Sequence, residues 1–174
     1  MERLAAGHDA ALNDLMERHA SKLLNYLVRC LQNEEDAADL AQGTFVRIYQ
    51  NRAKFDTNQK FSTWLYTIAT NLVKDRYRYR TRHPQVSLDA ENEVTGHCLW
   101  PSETAVADER AEIVRRAVAA LPDELRTPLI LAEYEEKRQT EIAQILGCSI
   151  KAVEIRIYRA RNQLRLALSA LMHE

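Results

Sequence analysis

Glycine and proline are scarce, with four of each in 174 residues. Strand-rich folds need frequent turns, and these two residues make them, so the shortage points away from an all-β architecture and towards long helices with few breaks. Cysteine is scarce as well. Cys30, Cys98 and Cys148 are odd in number and far apart. That excludes a disulfide framework and a CxxC metal knuckle, and suits reduced thiols in a cytoplasmic protein. No apolar run approaches the ~18 residues of a membrane-spanning helix. The opening Met1-Glu2-Arg3-Leu4-Ala5-Ala6-Gly7-His8-Asp9 lacks the apolar core of a signal peptide. The expectation is a cytoplasmic protein with no direct membrane insertion. HExxH, P-loop and zinc-knuckle patterns are missing, and five histidines are scattered; no metal, cofactor or catalytic residue is expected. An excess of charge of one sign is missing too, since 24 Lys and Arg face 25 Asp and Glu.

What is present is the composition of a folded chain, 46% hydrophobic and 28% charged. The balanced total hides blocks. Residues 1–81 carry 12 basic and 10 acidic side chains, residues 82–108 one basic and five acidic, and residues 109–174 11 basic and 10 acidic. Lys74 to Arg82 packs five basic residues against one acid, and Lys137 to Arg165 seven against two. Two basic patches around an acidic connector suit two contacts with a polyanion.

Apolar periodicity predicts helices almost throughout. From about Asp9 to Leu31 a stripe runs through Leu12, Leu15, Met16, Leu23 and Leu27. Asn33 is placed to cap a second helix, with Glu34, Glu35 and Asp36 at the positive end of its dipole. Its stripe is Ala37, Leu40, Ala41, Phe45 and Ile48, interrupted by an unfavourable mid-helix Gly43. After the polar stretch Asn51 to Lys60, periodicity resumes at Phe61, Leu65, Ile68, Ala69, Leu72 and Val73, and runs out into Arg76-Tyr77-Arg78-Tyr79-Arg80. Arg82 to Pro101 has no period. Ser102 is placed to cap a further helix with Val106, Ile113, Val114, Ala117 and Leu121 on its stripe. Pro122 fits the first turn of the next, whereas Pro128 would remove a hydrogen bond deeper in it and kink it. Thr140 is placed to cap a short helix to Leu146, Gly147 to end it left-handed, and Ser149 to start a long helix with the stripe Ile150, Val153, Ile157, Ala160, Leu164 and Leu171. Two helices around a tight Gly turn is the helix-turn-helix plan. Lys151, Arg156, Arg159, Arg161 and Arg165 lie off the apolar stripe, as on a helix in the DNA major groove; a helical hairpin with a solvated basic face would have the same pattern.

Leu121-Pro122, Tyr134-Glu135, Glu141 to Ser149, Val153, Arg156, Arg159-Ala160-Arg161 and Leu164 resemble region four of a bacterial RNA polymerase sigma factor. Asp36 to Phe45 resembles the DAEDLVQETF-type signature of region two. Phe61-Ser62-Thr63-Trp64-Leu65, with Ile68-Ala69, Asn71 and Asp75-Arg76, resembles its FxTWLxxIAxNxxxDxxR signature. With only a linker between, the chain is similar to the small extracytoplasmic-function (ECF) group of the sigma-70 family. The resemblance implies an all-α protein of two small helical domains joined by a flexible linker. A region two bundle would span 1–81, an acidic linker 82–101 and a region four helix-turn-helix 102–174.

It also implies a non-catalytic subunit that binds core RNA polymerase and directs promoter-specific initiation, with an anti-sigma factor as a further partner. Carried over to this sequence, polymerase docking falls to Asp36, Asp39, Gln42 and Phe45. Gly43 stands where the family usually has Glu, and the stripe position of Phe45 equally suits core packing. Recognition of the −10 element falls to Asp56, Thr57, Asn58, Gln59 and Lys60, with Asn71, Lys74 and Arg76. Tyr77 and Tyr79, interleaved with arginines, suit either base stacking or a solvated helix end, and Trp64 suits the bundle core. Recognition of the −35 element falls to Lys151, Glu154, Arg156, Tyr158, Arg159 and Arg161. Glu154 replaces a basic residue common in the family; it can accept from cytosine N4, and the neighbouring Ile155 can contact a thymine methyl. In sigma factors the linker passes through the polymerase cleft; a solvated tether would have the same composition. A stand-alone helix-turn-helix regulator would share residues 137–165 but not the first-half signatures. A metal-dependent helical enzyme would bind a metal ion, and a purely protein-binding adaptor would show no promoter dependence.

Overall fold

Caps and left-handed stops in the sequence set where the helices begin and end. The computed structural model describes residues 1–83 and 105–171, and all of their regular structure is helical. The helices are α1 (Glu2–Ala5), α2 (Ala10–Leu31), α3 (Glu34–Gln50), a 3-10 turn (Arg52–Lys54), α4 (Phe61–Arg82), α5 (Ala105–Ala119), α6 (Asp123–Glu133), α7 (Gln139–Leu146) and α8 (Ile150–Leu171). The chain divides into two compact units, one containing α1 to α4 and the other α5, α6 and α8. Apart from Arg82 and His83, which close α4, the stretch read as linker, 82–101, lies outside the described residues, as do Ser102 and the side chains of Val106 and Leu171.

In the first unit α2 carries Leu23, Tyr26, Leu27 and Cys30 into a core completed by Ala37, Leu40, Phe45 and Ile48 of α3 and Leu65, Tyr66, Ala69 and Val73 of α4. The first half of the α2 stripe does not join it. Leu12 is half-buried, Met16 is exposed, and Leu15 instead lines a surface cavity. The short α1 has no periodic signal in the sequence, yet Leu4 is fully buried. Buried Tyr26 needs a polar partner; its hydroxyl meets Thr70 Oγ1 at 2.7 Å, and its ring meets Tyr66 edge-on at 5.0 Å. Burial pushes the Tyr26 phenol well above its ordinary pKa.

The α2–α3 junction is held from α4. Asn33 Oδ1 accepts the Asp36 N–H at 2.7 Å, as the sequence predicts. Gln32 ends α2 in a left-handed conformation, φ 54°. Helix ends leave carbonyls without in-helix donors. Here Tyr77 Oη donates to Cys30 O at 2.6 Å and Arg80 Nη1 to Leu31 O at 3.5 Å. Arg76 Nη1 sits 3.0 Å from Asp36 Oδ1, and Arg80 Nη2 takes the other carboxylate oxygen.

In the second unit Leu121, Leu125, Leu129 and Ala160 form a buried cluster against which Leu164 packs. Pro122 is the cap of α6, not part of its first turn, with φ −54° and ψ 143°. Pro128 lies inside α6, which nonetheless continues to Glu133. The carbonyl that loses its in-helix donor is that of Glu124, an exposed position in the first turn.

Candidate functional site

The sequence places four groups of candidate residues on three helices and one loop. On α3, Phe45 is buried in the core and Asp36 is engaged by two arginines. Asp39 and Gln42 are exposed. Val46, four residues after Gln42, shares their side of the helix and is 52% exposed. The outward row is therefore Asp39, Gln42 and Val46. Phe45 takes the core position that its stripe equally suits, and Val46 stands at the i+7 position from Asp39. Gly43 lies beside that row, and a Cβ built there would stand 3.8 Å from Leu72 Cδ1, an ordinary contact.

Between α3 and α4, aromatic rings fasten both ends of the loop. Phe55 meets Trp64 at 5.1 Å, Phe61 meets Trp64 at 6.4 Å, and His19 of α2 meets Phe61 at 5.0 Å. Trp64 thus serves the bundle, as its position suggested. Asp56, Thr57, Asn58, Gln59 and Lys60 all lie exposed between the rings. Asp56 Oδ1 accepts both the backbone N–H and the amide of Asn58, each at 2.9 Å. This Asx turn shapes the loop without covering it. Beside the loop lies a cavity of about 420 Å³, bounded by Phe55, Thr57 and Phe61 and by Arg3, Asp14 and Arg18.

On α4 the basic run separates into two sides. Arg76, Tyr77 and Arg80 point to the α2–α3 junction. Asn71, Lys74, Arg78 and Arg82 are exposed, at spacings that place them on one face. Arg78 also pairs with Asp75, and Tyr79 stacks on His83 at 4.4 Å.

The helix-turn-helix closes largely as read. Gly147 has φ +66°, and Cys148 N–H donates to Ala143 O at 3.0 Å, a left-handed stop of the Schellman type. Ser149 Oγ accepts the Ala152 N–H at 3.2 Å and starts α8. Thr140 is not the cap of α7. The helix begins at Gln139, and Glu141 reaches back to accept the Arg138 N–H at 3.0 Å. Val153, Ile157 and Ala160 are buried, but Ile150 is exposed. Of the −35 candidates, Lys151, Tyr158 and Arg159 face solvent, with Tyr158 68% exposed. Lys151 Nζ donates to Glu154 Oε2 at 3.1 Å. Arg156 turns back, with Nη1 3.6 Å from Cys148 Sγ, and Arg161 pairs with Glu133 of α6 at 2.6 Å. Among the described residues no cluster of side chains could hold a metal, and no helix is long and apolar enough to cross a membrane.

Residues 15–83 match the sigma-70 region 2 family model, and residues 111–164 the sigma-70 region 4 model. The chain is 34% identical to the ECF RNA polymerase sigma factor SigW of Bacillus subtilis (strain 168), over 98% of this chain and 96% of that protein. It belongs to the ECF sigma factor family. ECF sigma factors are transcription initiation factors, not enzymes. Among solved structures, CnrH in complex with the cytosolic domain of CnrY is similar over 97% of this chain and 94% of that one, with a TM-score of 0.73 and 28% identity. The sigma factor RpoE in complex with the anti-sigma factor NepR from Bartonella quintana shares the fold, with a TM-score of 0.69 and 21% identity over 90% and 96% of the two chains.

Proposed function

We propose that this ECF sigma factor binds core RNA polymerase in the cytoplasm and directs it to promoters by reading two DNA elements, under the control of an anti-sigma factor. The observation that carries this reading is the pairing of two helical units, one with each sigma signature, each presenting an exposed row of polar and basic side chains. The outward row of α3, Asp39, Gln42 and Val46, joins two polar groups to an apolar one and is the polymerase-docking face. Asp36 and Phe45 support that face from within.

The exposed loop from Asp56 to Lys60 reads the −10 element. Unpaired bases can be extruded, stacked and read on their edges; the neighbouring cavity, with apolar rings on one side and arginines on another, suits such a base. Asn71 and Lys74, extended by Arg78 and Arg82, hold the strand through its phosphates. Arg76 acts on this surface through the fold, by fixing α4 against Asp36.

The recognition helix α8 reads the −35 element with Lys151, Tyr158 and Arg159. Glu154 acts together with Lys151, and Arg156 and Arg161 brace the helix. The likeness to CnrH, solved with a cytosolic protein domain bound, supports a protein partner that controls this chain.

Run-off transcription tests the proposal. Purified core polymerase with this chain should initiate at one start site on the promoter upstream of the chain's own gene, and core alone should not. If the chain neither binds core polymerase nor confers specific initiation on a pool of genomic promoters, the reading is wrong.

A further inference from the structure

The outward face of α8 is not uniformly polar. Val153, Ile157, Ala160 and Leu164 fix the inward side. At 100° per residue, the positions turned furthest from it in the first three turns are Lys151, Ile155, Tyr158 and Arg159. Ile155 is 41% exposed in a helix whose other β-branched residues after the first turn are buried. Tyr158 lies three residues on, so the two adjoin on one face. Exposed apolar side chains are ordinary singly. These two stand together between Lys151 and Arg159, on a helix that carries five basic residues and one acid from Ile150 to Leu171. Glu154 is already engaged by Lys151, and Arg156 by Cys148. The centre of the face is thus apolar and its ends are cationic.

A polyanion draws in such a helix by its ends, and the apolar centre then meets whatever lies on the groove floor. In the major groove the apolar feature is the C5-methyl of thymine. We infer that Ile155 and Tyr158 read thymine methyl groups in the −35 element, so that part of its sequence preference is a preference for thymine at one or two positions on either strand. This rests on the −35 reading above and adds the chemistry by which bases are chosen. Lys151 and Arg159 are eight residue steps and therefore ~12 Å apart along the axis, close to the major-groove width.

Deoxyuridine presents the same hydrogen-bonding edge as thymidine without the methyl, so it isolates the contact. Holoenzyme assembled from core polymerase and the full chain is used to select a −35 duplex from a randomised library. Each thymine in the selected site is then replaced singly by deoxyuridine. Binding should weaken about fourfold at one or two positions, the worth of one buried methyl group. In Ile155→Ser or Tyr158→Ser holoenzyme, the penalty at the matching position should vanish. Both residues are exposed, so both variants should melt like the parent chain. Equal binding of every deoxyuridine duplex by a holoenzyme that still prefers the selected site to a scrambled one overturns the inference and leaves the −35 reading standing. So does a selected site without thymine on either strand, or a penalty that persists in both variants. A holoenzyme with no preference between the selected and scrambled duplexes overturns both.

Discussion

Asp36 sits in the first turn of α3, its carboxylate between the guanidiniums of Arg76 and Arg80. The resemblance gives this residue to polymerase docking; its surroundings make it a fastener between helices. Removing one partner of a half-buried, hydrogen-bonded ion pair leaves the others unsatisfied and typically costs ~1–3 kcal/mol. Asp36→Ala should therefore destabilise the free protein by about that much, read as a lower urea midpoint. Unchanged stability with weakened polymerase binding would return the residue to the docking face. Gly43 invites the opposite substitution. Its helix is regular there, and a Cβ would find an ordinary contact with Leu72. Gly43→Ala should stabilise the fold by ~0.5–1 kcal/mol, through helix propensity and a less flexible unfolded chain; thermal unfolding checks it. Tyr26 adds a dependence on pH. Its raised folded-state pKa means that the stability held in the neutral phenol is fully present below the unfolded value of 10.0 and is lost as pH rises through the folded one. In Tyr26→Phe the alkaline loss of stability should shrink, as urea midpoints from about pH 8 to 11, bracketing the ordinary phenol range, would report.

At the scale of the element, α4 carries two basic rows with different work. Arg76 and Arg80 hold the α2–α3 junction, and Lys74, Arg78 and Arg82 face out. Arg78→Ala combined with Arg82→Ala should leave melting nearly unchanged and weaken holoenzyme binding to promoter DNA across sequences. The salt dependence of that binding should fall by ~1 for each phosphate the variant no longer neutralises. Salt dependence equal to that of the parent chain would remove the two from the DNA surface. This division was not legible in the sequence. The partners of Tyr77 and Arg80 lie 44 to 49 residues away, and no local rule reports them. The caps at Asn33 and Ser149 and the stop at Gly147 were legible because each is settled within a few residues. Thr140 is not the cap although the same local chemistry suits it, because Glu141 accepts the N–H of Arg138, two positions earlier. Phe45 and Val46 differ by one residue, which turns a helical side chain by about 100°. One step along the helix therefore separates a core position from an outward one.

At the scale of the whole molecule, each unit has a buried core of its own. Fragments 1–83 and 102–174 should each show helical circular dichroism and a cooperative melt, and a fragment that stays unfolded alone would show that its core is incomplete. The loop between α3 and α4 has a consequence for how such a protein changes over generations. Its ends are fastened by Phe55, Phe61 and Trp64, so the entropy of closing it is met by residues outside it. The side chains from Asp56 to Lys60 are all exposed, so with the Asp56–Asn58 turn kept the others can be exchanged without disturbing the core. On the proposed −10 reading, promoter preference at that surface is then free to drift at constant thermal stability. Closely related copies of such a gene could diverge onto separate sets of promoters through a handful of surface substitutions, with no compensating change in the core.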